Sequence, residues 1–486
     1  MKKNKRPTYI SLFSSAGIGC HGFKLNKFDC IATCELIDRR MQIQKFNDVC
    51  TYKTGYITGD IVLQETKDAI FKEIHKWEDK KNIKEVDVVI ATPPCQGMSV
   101  ANHKKKNERL RNSLVVESIK LVNKIKPKFF VFENVRAFLN TLCTDIDGVE
   151  RSIKDSININ LAGEYNILFK VINFKEYGVP SSRTRTLVLG VRKNIKDFTP
   201  YDIFPDKEDE ITLKEAIGNL DKLDVMGTVS KKDIYHNFRP YNPMMLEWIK
   251  DLKEGQSAFQ NTDKKKIPHR IVNGKIVYNV NKNGDKYSRC YWNKVAPCIH
   301  TRNDVLSSQA TVHPKDNRVF SIRELMKMMS IPYSFNWSEI KFKELNSLNA
   351  DEKRIFLKKN EMNIRQSIGE AVPTHIFEQI ASKIKFFLDN GKLTDKEITK
   401  LIQEQNLDSY NKLIKFLKKN NENYSFTELS KISELSNSKR TNNAAYYTSQ
   451  DICYTLIKDL PIFNQKKELR ILEPSVDYTC QGWPWG

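Results

Sequence analysis

The stretch Val88–Gln96, which reads VVIATPPCQ, decides the fold of this chain. A short run of β-branched residues is typical of a strand that is buried on both faces of a parallel sheet. The two prolines end this strand, because proline donates no hydrogen bond to a sheet ladder. Cys95 leaves at the carboxyl end, where open α/β sheets bind their ligands. Its thiol is a candidate nucleophile, although a single cysteine is also a common small core residue.

Strand and helix patterns alternate on both sides of this stretch. They predict strands over Thr8–Phe13, Cys30–Glu35, Val86–Ala91 and Phe129–Glu133, and helices over Asp38–Asn47, Gln64–Lys80 and Asn112–Lys126. Alternation of this kind is typical of a mostly parallel sheet with helices on both faces. We therefore expect an α/β fold.

Charge and composition limit the classes of partner. The 486 residues include 80 Lys and Arg against 59 Asp and Glu, which gives a net charge of +21. Such an excess favours a polyanionic partner, because neutralising phosphates releases counterions. A lysine-rich solvated surface has the same composition, so charge alone leaves both interpretations open.

Targeting and metal signals are missing from the sequence. No apolar run is long enough to span a bilayer, and the basic start is not followed by the apolar core of a signal peptide. The ten cysteines and eight histidines do not fall at metal-ligand spacings. We expect reduced thiols, a cytoplasmic location, no membrane association and no structural zinc.

Functional side chains follow several of the predicted strands. The first strand runs into the small-residue turn Ser14–Phe23, which lets a ligand approach the backbone before a helix begins. The second ends at Glu35, where doubly wound folds hold ribose hydroxyls, and a later strand ends at Glu133. Arg183 and Arg185 are two residues apart on predicted extended backbone, so they point the same way. We expect a thiol, a carboxylate and two guanidiniums to converge on one sheet edge.

In this order, the motifs resemble those of bacterial DNA cytosine-C5 methyltransferases of the restriction-modification type, over about residues 8–385. The Pro-Cys-Gln loop at Cys95 and the Glu-Asn-Val signature at Glu133 match the family, and Arg318 with Ser321–Leu325 resembles its motif that orients the recognition region. The resemblance implies a Rossmann-like sheet of the kind found in S-adenosylmethionine-dependent methyltransferases. It also implies a smaller mixed target-recognition domain and a helical C-terminal extension.

The resemblance also implies roles for individual residues. The implied catalytic residues are Cys95, Glu133, Arg183 and Arg185. The implied S-adenosylmethionine-binding residues are Phe13, Ser14, Gly17, Gly19, Glu35, Leu36, Asp60, Ile61, Pro93, Leu114, Glu370, Ala371 and Val372. The implied DNA-binding residues are Gln96, Ser99, Lys104, Lys105, Lys106 and Arg302.

Three positions depart from the family pattern. Ser15 stands where glycine is usual, Ser181 where glutamine is usual, and Glu370 where asparagine is usual. None of them removes a reacting group. The Glu370 carboxylate either disfavours the cofactor by adding charge or favours its cationic sulfonium, and the sequence leaves both interpretations open.

The implied chemistry needs these residue types. A Cys95 thiolate adds to C6 of cytosine, and Glu133 in its protonated form supplies a proton at N3. Burial beside an apolar strand raises the pKa of a carboxyl group in the way this role requires. Arg185, with Arg183, holds the O2 atom of the base. A stacked base cannot reach such a pocket, so the target is flipped out and the loop Gly97–Lys106 closes over it.

The resemblance and the loss of strand–helix alternation after Arg192 predict the domain limits. These are a catalytic domain over 1–194, a target-recognition domain over 195–320, a return segment over 321–389 and an extension over 390–486. Asn273-Gly274 and Asn283-Gly284 lie between short extended stretches and predict hairpins.

The C-terminal extension has a second resemblance. Leu393–Leu417 has a charged, helical pattern, and Thr441–Thr448 and Ile471–Ser475 resemble the start of an N6-adenine DNA methyltransferase. No glycine-rich turn or catalytic motif follows, so the stretch is interpreted as a truncated domain without catalytic residues. A helical appendage unrelated to that family is the alternative.

The sequence therefore predicts a monomeric methyltransferase that modifies a specific sequence in double-stranded DNA and is paired with a restriction endonuclease. Two alternatives stay open. One is an RNA cytosine-C5 methyltransferase, because the base chemistry is the same, and the other is a non-catalytic DNA-binding relic.

Overall fold

The computed structural model describes residues 6–94, 112–281, 284–420 and 423–437. The predicted site residues Cys95, Gln96, Ser99 and Lys104–Lys106 lie outside the described residues. So do Asn283 of the second predicted hairpin and both stretches with the adenine-methyltransferase resemblance.

Regular elements of the described residues agree closely with the predicted alternation. The strands are β1 (Thr8–Leu12), β2 (Asp29–Glu35), β3 (Tyr56–Thr58), β4 (Val88–Ala91), β5 (Phe129–Val135), β6 (Leu142–Thr144), β7 (Glu150–Ser152), β8 (Tyr165–Asn173), β9 (Thr184–Arg192), β10 (His269–Val272) and β11 (Lys275–Tyr278). The helices are α1 (His21–Leu25), α2 (Asp38–Phe46), α3 (Gln64–Lys81), α4 (Leu114–Ile125), α5 (Ile153–Leu161), α6 (Leu213–Ile217), α7 (Met244–Ile249), α8 (Ile322–Met328), α9 (Phe342–Ser347), α10 (Ala350–Glu370), α11 (Thr374–Asn390), α12 (Asp395–Glu404), α13 (Tyr410–Lys419) and α14 (Phe426–Asn437).

Among the described residues, seven strands form one sheet in the order β3-β2-β1-β4-β5-β9-β8. The first five of these are parallel, whereas β9 runs antiparallel to both β5 and β8. The expectation of a mostly parallel α/β sheet is confirmed. The central strands β1 and β4 are buried along their whole length, which explains why β4 reads as a continuous apolar run.

The strand register decides where the functional side chains lie. Leu12 of β1 pairs with Cys34 of β2 and with Ala91 of β4, and Ala91 in turn pairs with Phe132 of β5. The residue that follows each of these positions therefore lies in one row across the carboxyl edge of the sheet. That row is Glu35, Phe13, Thr92 and Glu133.

A glycine in β9 is required by the packing of the sheet. Gly190 pairs with Phe130 of β5, and a Cβ atom at position 190 would overlap the Phe130 ring. That ring is fully buried and packs against Phe132 at 4.9 Å and Tyr165 at 5.1 Å between ring centroids, so it has little room to move.

Gly190→Ala is therefore expected to lower the free energy of unfolding by about 2 kcal/mol, because a methyl group added to a close-packed core forces neighbours out of position. Denaturant unfolding measures this change. Gly163→Ala is the matched control, since nothing lies within 4 Å of a Cβ atom there. Equal stability of the two variants would contradict the packing argument.

The region between β9 and α8 has its own small core. Trp248, Ile249, Tyr287 and Val312 belong to one buried cluster of that region. The Asn273-Gly274 hairpin is confirmed, because β10 and β11 pair as antiparallel strands around these two residues. Both turn residues have positive φ, at 50° and 74°, as a type I′ turn requires.

The Arg318 motif folds into a buried ion-pair network. Both terminal nitrogens of Arg318 donate to the Glu324 carboxylate, at 2.7 and 2.8 Å, and Arg318 is 1% exposed. Ser321 caps α8 reciprocally with the same glutamate. The positive charge of Arg318 holds the pKa of Glu324 well below its usual range, although burial opposes this. The motif therefore holds the start of α8 in place.

Within the described residues, the chain groups into two compact units. The first extends to Ile195 and resumes over Ile203–Ser382, and the second comprises Lys196–Asp202 and the residues from Lys383 onward. In the second unit, α12, α13 and α14 bury a core that includes Ile398, Leu413 and Ile432. No helix in the described ranges is long and apolar enough to cross a bilayer.

Candidate active site

The exit of β4 is fixed on two sides. The Thr92 hydroxyl donates to the carbonyl oxygen of Phe13 at 2.9 Å. On the other side, the buried Asn134 amide donates to the carbonyl oxygen of Pro93, also at 2.9 Å. The chain that leads toward Cys95 is therefore held between the turn after β1 and the end of β5. The structure describes this exit as far as Pro94.

Glu133 lies in the adjacent position of the sheet edge. Its side chain is buried, and its Oε1 atom lies 3.3 Å from Nε of Arg185. Burial raises the pKa of the Glu133 carboxyl group, and the positive charges of Arg185 and then Arg183 partly oppose that rise. The direction agrees with the sequence-based expectation. A carboxyl group in this setting keeps its proton to a higher pH than a solvated glutamate and is able to donate it.

The two predicted arginines make different contacts. Arg185 donates to the carbonyl oxygen of Thr184 at 2.8 Å besides facing Glu133. Arg183, which is 4% exposed, donates to the carbonyl oxygens of Ile299 and Gly369, each at 3.2 Å. Arg183 therefore joins β9 to the 299 segment and to the end of α10, and its charge reaches Glu133 without an ion pair.

The turn after β1 has an unusual backbone. Phe13, Ser15 and Gly17 have φ values of 54°, 47° and 76°, in the left-handed region that glycine adopts most easily. The positive φ of Ser15 explains why the family pattern has glycine at this position. Residues other than glycine adopt such a backbone conformation where the surroundings enforce it, and this occurs mostly at functional sites.

Neighbouring elements hold that turn in place. The backbone N–H of Ser15 donates to Glu35 Oε2 at 2.8 Å. The buried Gln44 amide of α2 donates to the Ser14 hydroxyl and to the Ser15 carbonyl oxygen, both at 2.7 Å. The Ser14 hydroxyl in turn donates to the carbonyl oxygen of Cys34 at 3.2 Å. The turn after β1 and the end of β2 are thus one hydrogen-bonded unit.

The motif after α10 packs against the same turn. The Val372 Cβ atom lies 3.0 Å from where a Cβ atom on Gly19 would be, so a larger residue at position 19 would push it away. The Thr374 hydroxyl donates to the carbonyl oxygen of Ile18 at 2.9 Å. Ala371 is buried beside Val372. The predicted cofactor residues near 18 and 372 are therefore brought together.

Leu36, Asp60 and Ile61 follow the neighbouring strands β2 and β3. Leu36 is 63% exposed, although it lies directly after the buried Glu35. Asp60 accepts a hydrogen bond from the backbone N–H of Val62 at 3.0 Å, and Ile61 is buried. An exposed leucine at the end of a strand is suited to covering the flat apolar face of a ligand ring.

These residues fit S-adenosylmethionine. The Ser15 Oγ atom is buried and has no hydrogen-bond partner among the described residues, so within them the turn has an unused polar atom. Glu35 offers a carboxylate for ribose hydroxyls, and Leu36 offers apolar surface for an adenine ring. When bound, the cofactor supplies an electrophilic methyl group.

Two further predicted residues make other contacts. Leu114 begins α4 and packs, half-buried, against the main core. Arg302 donates from Nε to Asp304 at 3.0 Å while 61% of its side chain is exposed. The contacts of Arg302 are thus with its own segment.

Sequence reasoning missed Gln44, Thr92 and Arg40 as site residues. Gln44 had a detectable signal, because it follows the buried Met41 by one helical turn and is itself fully buried on that face of α2. Thr92 and Arg40 had no such signal, since their partners lie about 80 and 330 positions away along the chain.

Comparisons with known proteins agree with this geometry. Residues 8–386 match the family model for C-5 cytosine-specific DNA methylases. The chain is 32% identical to the Type II methyltransferase M1.HgaI of Avibacterium volantium, over 79% of this chain and 99% of that protein. It is 25% identical to M.DdeI of Desulfomicrobium norvegicum, over 83% of this chain and 95% of that protein.

A solved structure shows the same fold. It is described as a DNA modification methyltransferase encoded within a prophage of E. coli, and it aligns with a TM-score of 0.53 at 19% identity. The alignment covers 79% of this chain and 99% of that one. Family and fold both imply use of S-adenosylmethionine. The chain therefore belongs to the C-5 cytosine-specific DNA methylase family and is a DNA (cytosine-5-)-methyltransferase.

Proposed function

We propose that this enzyme methylates C5 of a flipped-out cytosine in a specific duplex DNA sequence, through a covalent bond between Cys95 and C6. One observation carries the proposal. The β4 exit, which leads to Cys95, is hydrogen-bonded to Phe13 on one side and to the strand end of Glu133 on the other. Pro93 and Pro94, which lead to the proposed nucleophile, then share one sheet edge with the acid and the cofactor turn, as a reaction between base and cofactor requires.

The proposed chemistry uses each residue at a stated atom. The Cys95 thiolate forms a bond to C6 while N3 takes a proton from Glu133, which converts the ring into an enamine. Carbon C5 would then take the methyl group that bound S-adenosylmethionine supplies, with the neutral thioether S-adenosylhomocysteine as the leaving group. A base removes the C5 proton, the bond between C6 and sulfur breaks, and N3 returns its proton to Glu133. Aromaticity is restored, and Cys95 leaves as the thiolate.

The arginines position the base and the acid in this proposal. Arg185 lies 3.3 Å from Glu133 and presents a guanidinium to the O2 atom of the base. Arg183 holds the start of β9 next to Ile299 and Gly369 by donating hydrogen bonds to their carbonyl oxygens. Gln96 and Ser99 would contact the DNA, Lys104–Lys106 would contact its phosphates, and Pro93 would contact the cofactor.

Target recognition is proposed for residues 195–320, and the ribbon of β10 and β11 is the strongest candidate within them. Ile271 and Ile276 face each other across the ribbon, at 64% and 50% exposure. Residues 262–287 carry seven Lys or Arg against two Asp. A basic two-stranded ribbon with exposed apolar side chains fits the major groove of DNA, where thymine methyl groups offer apolar contacts.

We expect the double substitution Ile271→Ser, Ile276→Ser to raise KM for duplex DNA roughly tenfold, because each good base contact contributes substantially to discrimination. The KM for S-adenosylmethionine should be unchanged. Steady-state methyl transfer measures both constants. Ile355→Ser is the control, since that isoleucine is 69% exposed on α10, outside the ribbon. An unchanged KM for DNA in the double variant would exclude the ribbon as a DNA contact.

Protection against a partner restriction endonuclease is proposed because M1.HgaI and M.DdeI are Type II methyltransferases. Localisation in the cytoplasm and action as a monomer are proposed with it. The stretches Thr441–Thr448 and Ile471–Ser475 are proposed to be related to the start of an adenine methyltransferase domain.

The proposed function is tested by labelled methyl transfer to duplex DNA and to an RNA of matched sequence, followed by bisulfite sequencing of DNA from cells that express the protein. Methylation of DNA at one recurring sequence is expected. Transfer to RNA alone would support the RNA alternative, and no transfer to either would support the relic.

A further inference from the structure

Arg40 of α2 links two carboxylates beside the cofactor turn. Its two terminal nitrogens reach different partners: one donates to Glu370 Oε2 at 2.5 Å, and the other lies 3.4 Å from Glu35 Oε1. Arg40 and Glu35 are 17% and 6% exposed at their side chains, and Glu370 is 31% exposed. The guanidinium therefore sits in a partly buried position between two acids.

Each carboxylate oxygen of Glu35 also accepts a hydrogen bond from a backbone N–H. Its Oε2 atom accepts from the Ser15 backbone N–H at 2.8 Å, and its Oε1 atom accepts from the Ile37 backbone N–H at 3.0 Å. The weaker contact with Arg40 completes the set of donors around this carboxylate. Arg40 thus helps to orient the group that is proposed to hold the ribose hydroxyls.

Glu370 ends α10, directly before the motif that packs on Gly19. Burial raises the pKa of the Glu370 carboxyl group, and the charge of Glu35 adds to the rise, while Arg40 and Arg39 lower it. Two carboxylates close enough to affect each other are unfavourable unless a cation lies between them. Arg40 is that cation.

We propose that Arg40 is a positioning residue of the cofactor site, which orients Glu35 and neutralises the carboxylate that this chain carries at position 370. The inference depends on the proposed role of Glu35 in cofactor binding. It also replaces both interpretations of Glu370, because a carboxylate whose charge is compensated by Arg40 neither repels nor attracts the cofactor as a free charge would.

The test is calorimetric titration of the full chain with S-adenosylhomocysteine. We expect Arg40→Ala to raise Kd roughly tenfold, as the loss of a charge-assisted contact implies. Adding Glu370→Gln should bring the double variant back to within about threefold of wild type, because the uncompensated charge is removed.

Arg39→Ala is the matched control. Arg39 lies on the same helix and donates to Gln366 of α10 at 3.1 Å, so it joins the same two elements without bridging carboxylates. Its Kd should stay within about twofold of wild type. If Arg40 served only to attach α2 to α10, the double variant would bind no better than Arg40→Ala, and this result would overturn the proposal.

Comparing Glu35→Gln with Arg40→Ala separates failure of this inference from failure of the proposed function. If Glu35→Gln binds as tightly as wild type, the role of Glu35 is wrong and the inference about Arg40 is lost with it. If Glu35→Gln loses binding while Arg40→Ala keeps it, only the inference about Arg40 is wrong. Should Arg40→Ala fail to fold, Arg40→Gln in the wild-type and Glu370→Gln backgrounds makes the same comparison.

Discussion

Cys95→Ala is expected to abolish methyl transfer and to abolish the covalent adduct with duplex DNA that carries 5-fluorocytosine at the target position. The proposed reaction begins with sulfur adding to C6, and alanine has no nucleophile. Fluorine at C5 cannot leave as the proton does, so the wild-type enzyme stays attached to the modified strand. Denaturing electrophoresis detects that complex.

The matched control is Cys298→Ala. Cys298 is a half-buried free thiol whose sulfur lies 3.9 Å from a terminal nitrogen of Arg183, so it is a second thiol beside a charged residue of the site. Its removal should leave the adduct intact. An adduct that persists in Cys95→Ala and disappears in Cys298→Ala would identify Cys298 as the nucleophile. This result would refute the proposed mechanism.

The second large effect is expected at Glu133. Glu133→Gln keeps the size of the side chain but cannot transfer a proton to N3, so kcat should fall roughly 10²- to 10⁴-fold. The KM for S-adenosylmethionine should change little, because Glu133 is paired with Arg185, whereas Glu35 is the carboxylate that is hydrogen-bonded to the cofactor turn. Single-turnover methyl transfer at saturating DNA measures the chemical step.

The raised pKa of Glu133 also predicts a dependence of stability on pH. Between the unfolded pKa and the raised folded pKa, the folded state binds more protons than the unfolded state, so stability falls as pH rises through this window. Glu133→Gln lacks this titration. Its stability relative to wild type should therefore increase as pH rises through the same window, as measured by denaturant unfolding at several pH values.

The opposite slope would contradict the assignment. If the variant lost stability relative to wild type as pH rose, the pKa of Glu133 would be lowered in the folded state, and the ion pair with Arg185 would outweigh burial. Such a glutamate would be ionised at neutral pH and unsuited to donating a proton.

Much of the sheet was predictable because its strands are buried. Val88–Ala91 and Phe129–Phe132 are apolar without interruption, and burial on both faces is what produces such runs. The antiparallel direction of β9 was not predictable, since its run from Thr186 to Gly190 reads the same whether the neighbouring strand is parallel or antiparallel.

Pairs of site residues that are close in sequence were also within reach. Glu133 and Asn134 follow one another at a strand end, and Arg183 and Arg185 alternate on extended backbone, so local geometry already placed them at one edge. The separate contacts of Arg183 were not visible, because its acceptors Ile299 and Gly369 are carbonyl oxygens, which every residue has.

The sequence by itself determined the α/β class, the order of the motifs along the chain and the residue types that the chemistry needs, because these follow from hydrophobic periodicity and from functional groups. Only the tertiary structure decided that Thr92 bonds to Phe13, that Asn134 bonds to Pro93 and that Arg40 joins Glu35 to Glu370. Those contacts depend on the strand register and on helix packing between segments that are far apart in the chain, and no local pattern records them.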